Sequence, residues 1–229
     1  MQTVAREMNL SETAFLLQQK DGYQLRWFTP KIEVDLCGHA TLASSFVLFE
    51  KGLVKNEDVI KFFTRSGELK ASQKKEWITL DFPRFEESRW QAPVEFIHSL
   101  GIHPLSVVRS GENVIIEAAS AMEVREMKPN YLEMIKTPLH GVAVTARSDM
   151  KKYDFISRYF APWVGINEDP VTGSAHACLG PYWGKRLGKD KMLAYQASER
   201  GGVIRVELMD ERVFLSGQAV MIFEGFLKI

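Results

Sequence analysis

The segment Asp35-Leu36-Cys37-Gly38-His39-Ala40-Thr41-Leu42-Ala43 returns in altered form as Asp169-Pro170-Val171-Thr172-Gly173-Ser174-Ala175-His176-Ala177. In each, an acidic residue and a glycine precede a small, polar run that opens a helix. An offset of 135 residues sets Gly38 on Gly173, Gly67 on Gly202, Leu69 on Ile204, Ala71 on Val206, Ile78 on Val213 and Leu80 on Leu215. The parity of the apolar positions survives the offset, which marks a duplicated unit and constrains the whole fold. Upstream, Arg26-Trp27-Phe28-Thr29-Pro30 matches Arg158-Tyr159-Phe160-Ala161-Pro162 at an offset of 132, so the second copy carries three extra residues in a loop.

Each copy reads as one unit. An aromatic strand (24–28; 153–160) leads through a proline loop to the glycine turn, and the turn opens a helix (40–51; 175–187) closed by Gly52 or Gly188. The first helix is apolar almost all round, as a helix enclosed by a sheet should be. Pro181 removes one ladder hydrogen bond from the second and should bend it. Three strands follow in both copies (59–64, 68–72, 77–82; 193–198, 203–208, 212–216), and alternation at Ile78, Leu80 and Phe82 buries one sheet face. The expectation is an α+β protein of two pseudo-symmetric domains, each a curved mixed β-sheet around a central helix. The first domain spans 1–82 with 218–229 as a strand returning to it, and the second spans 83–217. The linker falls near Pro83 to Pro93, where proline and charge interrupt the pattern.

Lys+Arg and Asp+Glu are 29 each, with the basic residues scattered or in short pairs, so the footprint that nucleic acid requires is missing. The longest nearly apolar run, Ala40 to Phe49, falls short of the about 20 residues that span a bilayer, and no secretory signal stands at the start. Cys37 and Cys178 give neither a disulfide framework nor a CxxC pattern, so a reducing cytoplasm is the expected compartment.

A helix N-terminus presents unpaired backbone N–H groups and the positive end of the helix dipole, so it binds anions without a basic side chain. Two such ends facing across a cleft, at Gly38 and Gly173, would clamp a carboxylate, with Ser174 adding a hydroxyl and His39 an imidazole. The proton carrier is Glu12, in Asn9-Leu10-Ser11-Glu12-Thr13-Ala14-Phe15, where an acid stands among small polar residues just ahead of an apolar strand. A symmetric two-base epimerase would need a matched acid or thiol from each half. Cys37 precedes Gly38, but Thr172 precedes Gly173, and Glu12 has no counterpart near Gly141 to Thr145. One-base chemistry fits this asymmetry better. Asp169 either orients His39, meets a substrate amine or holds its loop, and His176 and Cys178 read as core. No HxxxH or comparable spacing supports a metal site, and no GxxxxGK[ST] or GxGxxG supports a nucleotide, so no metal and no cofactor are expected. His98, His103 and His140 stand in no motif.

The segments 5–15, 25–30, 37–41 and 169–176 together resemble the phenazine-biosynthesis PhzF-like isomerase family, over nearly the whole chain and in the family's order. The resemblance implies a diaminopimelate-epimerase-like fold, two pseudo-symmetric domains with the active site between them. In the best-understood member the glutamate of the Asn-Leu-Ser-Glu-Thr motif shuttles a proton during isomerisation of a dihydro-hydroxyanthranilate. The resemblance thus implies Glu12 as acid/base, His39, Asp169 and Ser174 around the substrate, Gly38 and Gly173 near its carboxylate, and a homodimer.

Family members usually begin with a further strand and a Gly-Asn-Pro-Ala turn, whereas Met1 to Arg6 reads as the middle of a helix without an N-cap. A shortened start that leaves a sheet edge open is therefore expected. The leading expectation is a cofactor-free isomerase acting on a small carboxylate-bearing metabolite. Its alternatives are an epimerase using Cys37 and a non-catalytic binding or interaction protein on the same fold.

Overall fold

The computed structural model describes residues 1–227. Helix α1 (Gln2–Met8) ends at Asn9, which takes the left-handed conformation, and a hairpin of β1 (Thr13–Gln19) and β2 (Gly22–Phe28) follows. Strand β3 (Glu33–Val34) folds back on β2 and delivers the chain to α2 (Gly38–Glu50). Then come β4 (Ile60–Thr64), parallel to β2, and the antiparallel β5 (Gly67–Lys74) and β6 (Trp77–Pro83).

The middle of the chain supplies β7 (Glu87–Arg89), α3 (Val94–Leu100), β8 (Pro104–Ser110), β9 (Asn113–Ala118), α4 (Ala121–Glu126) and α5 (Tyr131–Met134). The first pattern then repeats as β10 (Gly141–Arg147), β11 (Phe155–Ala161), β12 (Ile166–Asp169), α6 (Gly173–Leu187), β13 (Lys191–Gln196), β14 (Gly202–Met209) and β15 (Arg212–Gly217).

The pairings repeat as well: β2 runs parallel to β4 as β11 does to β13, and β3 returns on β2 as β12 does on β11. The halves are joined by antiparallel β6 and β15, where Leu80 stands opposite Leu215. These two residues are repeat mates at the offset of 135, so a local twofold axis passes through that pair. The axis carries Phe82 opposite Val213 onto Ile78 opposite Gly217, and both pairs form. Even side chains obey it. Arg26 grips Glu33 with two hydrogen bonds of 2.8 Å, and Arg158 grips Glu168 with two of 2.7 and 2.8 Å. Their guanidinium carbons lie 5.2 and 5.0 Å from the Phe28 and Phe160 ring centroids.

Both long helices are enclosed. In α2 the buried Thr41, Ser44 and Ser45 donate to carbonyls four residues back at 2.6 to 2.8 Å, which removes their need for other partners. In α6 a Cβ at Gly184 would come within 2.4 Å of Leu208 Cδ1, so glycine is what lets the helix lie against β14. One core cluster runs through both halves and includes Trp27, Phe62, Leu80, Phe82, Trp183 and Leu215; a second fills the space under α3, α4 and α5.

Strand β7 forms within the expected linker and pairs with β8. Helix α6 runs through Pro181 to Leu187 as one helix. One expectation needs correction. The returning strand does not form over 218–227: that stretch makes no ladder, Ile222, Phe223 and Phe226 are exposed, and Glu224 pairs with Lys51. Lys228 and Ile229, the end of that expected strand, lie outside the described residues. Strand β1 stands at one end of the sheet path, whereas its repeat mate β10 has the parallel β9 beside it.

Candidate active site

The two glycine turns meet. A Cβ at Gly38 would lie 2.9 Å from the Gly173 Cα, and one at Gly173 would lie 3.0 Å from the Gly38 Cα. The starts of α2 and α6 therefore abut backbone to backbone, an approach open only to glycine. The short helices α4 and α5 are capped by Ser120 and Asn130, which accept from Glu123 N–H and Glu133 N–H. No side chain caps α2 or α6. Their first N–H groups are left for whatever enters between them.

Next to this seam lies a carboxylate–imidazole cluster. Glu12, on the turn just ahead of β1, brings Oε2 to 3.0 Å from His39 Nε2. The ring nitrogen is directed at Ser11 Oγ, 3.2 Å away, so Glu12 Oε2 is buried with no hydrogen-bond partner among the described residues. Asp169 Oδ1 lies 3.6 Å from His39 Nδ1 and is likewise buried and unpartnered. Cys37 Sγ is 3.7 Å from His39 Nδ1. Burial opposes a charge on His39, but the Cys37 sulfur, the Asp169 carboxylate and the Glu12 carboxylate outweigh it and hold the imidazole pKa well above its ordinary value. Burial pushes the Cys37 thiol up, so a neutral thiol is the resting form and the carboxylates carry the imidazolium. Burial also raises Asp169, with His39 pulling the other way.

The second half fixes Asp169 firmly. Thr172 Oγ1 donates to Asp169 Oδ2 at 2.5 Å, and Gln196 on β13 donates to the Asp169 carbonyl at 2.6 Å while accepting from Thr172 N–H. One carboxylate oxygen is thereby held and the other left aimed at His39. Asn113 and Tyr159, hydrogen-bonded at 2.6 Å, form part of the wall. Burial pushes the Tyr159 phenol up, so it is a neutral donor.

Glu12, Cys37, His39, Asn113, Tyr159, Asp169 and Thr172 face one cavity of about 700 Å³ that draws its lining from both halves. It contains Glu12, Gly38, His39, Asp169, Gly173 and Ser174, the six residues singled out from sequence. Val34, Leu69, Phe82 and Ile166 give it apolar walls. Its described lining includes five acids and no lysine or arginine, so an anion here is left to the helix ends, His39 and neutral donors such as Ser174, Asn113 and Tyr159. His176, by contrast, is fully buried in the core; its Nδ1–H donates to the Thr172 carbonyl, and burial lowers its pKa to about 4. Cys178 is buried too, with its thiol donating to the Ser110 carbonyl at 3.2 Å. Sequence reasoning passed over Asn113, Tyr159, Thr172, Gln196 and His140. Asn113 offered one signal, a lone amide at the head of the apolar run Val114-Ile115-Ile116.

A duplicated fold that sets two uncapped helix starts and the Glu12–His39 pair on one cleft has the architecture of the two-domain epimerase-type isomerases. Comparison with known proteins agrees. Residues 1–225 match the family described as phenazine biosynthesis-like protein, and the chain belongs to that family. An uncharacterized isomerase of Halalkalibacterium halodurans is 53% identical over all of this chain and 87% of its own length. The human phenazine biosynthesis-like domain-containing protein is 38% identical over 99% of this chain and 87% of its own. Among solved structures, a PhzF-family protein of Enterococcus faecalis superposes with a TM-score of 0.92 at 42% identity, covering 99% of this chain and 86% of that one. A hydroxyproline epimerase of Agrobacterium vitis, at 12% identity and a TM-score of 0.58, shares the fold alone. The protein is an isomerase by this kinship, and no helix among the described residues is long and apolar enough to cross a membrane.

Proposed function

We propose that this isomerase moves a proton on a small carboxylate-bearing metabolite, with Glu12 as the single acid/base. The observation that carries the reading is the Glu12 carboxylate, buried at Oε2 and 3.0 Å from His39 Nε2, beside two uncapped helix starts that abut at Gly38 and Gly173. The substrate carboxylate sits against the N–H groups of the two helix starts, with Ser174 as a further donor. Glu12 takes a proton from a neighbouring carbon, and the electron pair spreads towards the carboxylate, where the helix ends stabilise it. The protonated Glu12 then returns the proton to another carbon of the same molecule. Atoms and electrons balance without an external oxidant, so the step needs no redox cofactor. Imidazolium His39, between Glu12 and Asp169, offsets negative charge in the cleft and opposes the burial that raises Asp169.

Cys37 supports a second reading, epimerisation, because its thiol lines the same cavity. A two-base epimerase needs a carrier on the opposite face, and there Thr172 is committed to Asp169. Screening small amino and hydroxy acids for exchange of carbon-bound hydrogen with deuterated solvent would find the substrate. On it, Glu12→Gln should lower turnover by about 10² to 10⁴ while the fold survives. An unchanged rate in that variant would remove Glu12 from the mechanism, and epimerisation lost in Cys37→Ala would establish the second reading.

A further inference from the structure

Glu12, Cys37 and His39 come from two separate stretches, the turn ahead of β1 and the start of α2, yet offer an oxygen, a sulfur and a nitrogen within 4.8 Å of one another. We infer that these three side chains form a binding site for a soft divalent cation, with Zn²⁺ as the type, whose occupation takes Glu12 out of proton transfer. That blocking effect rests on the function proposed above; the binding itself does not.

The spacing supports it. Zinc bonds of about 2.3 Å to sulfur and about 2.0 Å to nitrogen and oxygen, set tetrahedrally, give ligand-to-ligand edges of roughly 3.3 to 3.5 Å. Cys37 Sγ lies 3.8 Å and Glu12 Oε2 3.0 Å from His39 Nε2. With all three atoms within 4.8 Å, seating an ion asks side-chain rotation to close the wider edges by up to about 1.3 Å. The second observation is the Glu12 carboxylate itself: its side chain is nine-tenths buried, and Oε2 has no hydrogen-bond partner among the described residues although it points into the cluster. Asp169 supplies what ligating histidines usually have, a carboxylate beside the other ring nitrogen, with Oδ1 3.6 Å from Nδ1. Held by Thr172, it stands on the Nδ1 side and leaves Nε2, the atom nearer Glu12, to ligate.

Three protein ligands leave a fourth position for water or a substrate oxygen from the cavity. On binding, the ion replaces the thiol proton of Cys37 and an imidazole proton of His39, which pass to solvent. A thiolate and an imidazole select Zn²⁺ or Co²⁺ over Mg²⁺, which prefers an all-oxygen octahedron. The site is thus one where zinc competes with the proton for the catalytic carboxylate.

The test uses the whole chain, with Co²⁺ as an optical probe and Zn²⁺ in competition against a chelating dye. Co²⁺ should give a thiolate-to-cobalt charge-transfer band that Zn²⁺ displaces and that is lost in Cys37→Ser. Zinc affinity should fall by about 100-fold or more in Cys37→Ser and by at least about 10-fold in His39→Gln and in Glu12→Gln. Circular dichroism of each variant establishes that it folds, and thiol titration of wild-type protein should show Zn²⁺ protecting Cys37. Absence of the band, or zinc affinity unchanged in any of the three variants, overturns the site. Because none of these readouts requires turnover, zinc binding with a catalytically silent Glu12 would refute the proposed mechanism and leave the site standing.

Discussion

His39 and His176 make opposite demands on pH. For His39 the folded pKa is raised, so the stabilisation from its carboxylates is complete below the unfolded value of about 6.5 and is lost as pH rises through the raised value. For His176 the folded pKa is lowered to about 4, so its contribution is complete above about 6.5 and declines as pH falls towards 4. The His176 loss is on the order of 3 kcal/mol. Urea denaturation across pH should therefore show an alkaline decline that vanishes in His39→Gln and an acid decline that shrinks in His176→Gln. Nuclear magnetic resonance gives an independent check: the His39 midpoint should lie well above 6.5 in wild type and drop in Asp169→Asn. The sequence showed Glu12, His39 and Asp169 because each sits in a motif with unusual neighbours. It hid Tyr159, Thr172 and Gln196, whose work depends on partners 46, 3 and 24 residues away and on strand faces that only the fold brings together.

Among elements, the contact between α2 and α6 is the most exposed to a one-carbon test. Ordinarily glycine to alanine inside a helix is favourable by about 1 kcal/mol. Here Gly38→Ala or Gly173→Ala drives a methyl into the backbone of the other helix at 2.9 to 3.0 Å, and neither helix can retreat from its surrounding sheet. Each substitution should cost about 1 to 3 kcal/mol in denaturation and weaken binding of a carboxylate ligand at the seam. Full stability and binding in both variants would mean that the helices separate freely. Helix starts and the six repeated strands were legible from glycines and alternation, which are local signals. The short β7 was not, since three residues become a strand only when β8 lies beside them. The segment beyond Gly217 carries the continuous apolar run Ala219 to Phe223, which among the described residues pairs with no strand.

For the whole molecule, the junction of β6 and β15 decides whether there are one or two folding units. A core cluster crosses it, so the halves should unfold together despite their separate helices. Leu80→Ala, at a site 4% exposed, should cost about 2 to 5 kcal/mol and reduce hydrogen-exchange protection in α2 and α6 alike. Protection lost in α2 alone would show two independent units.

The axis through Leu80 and Leu215 also bears on ancestry. Before fusion, a single half could have met its own copy only as a symmetric pair, and a cleft on a dyad holds every group twice. Two identical carboxylates, or two identical thiols, would face a substrate in such an ancestor. Joining the copies in one chain released them from sameness: one kept a glutamate ahead of its first strand, and the other kept an aspartate pinned by a threonine. On the proposed single-glutamate chemistry, departure from symmetry, more than symmetry itself, is what lets this cleft tell one face of a molecule from the other.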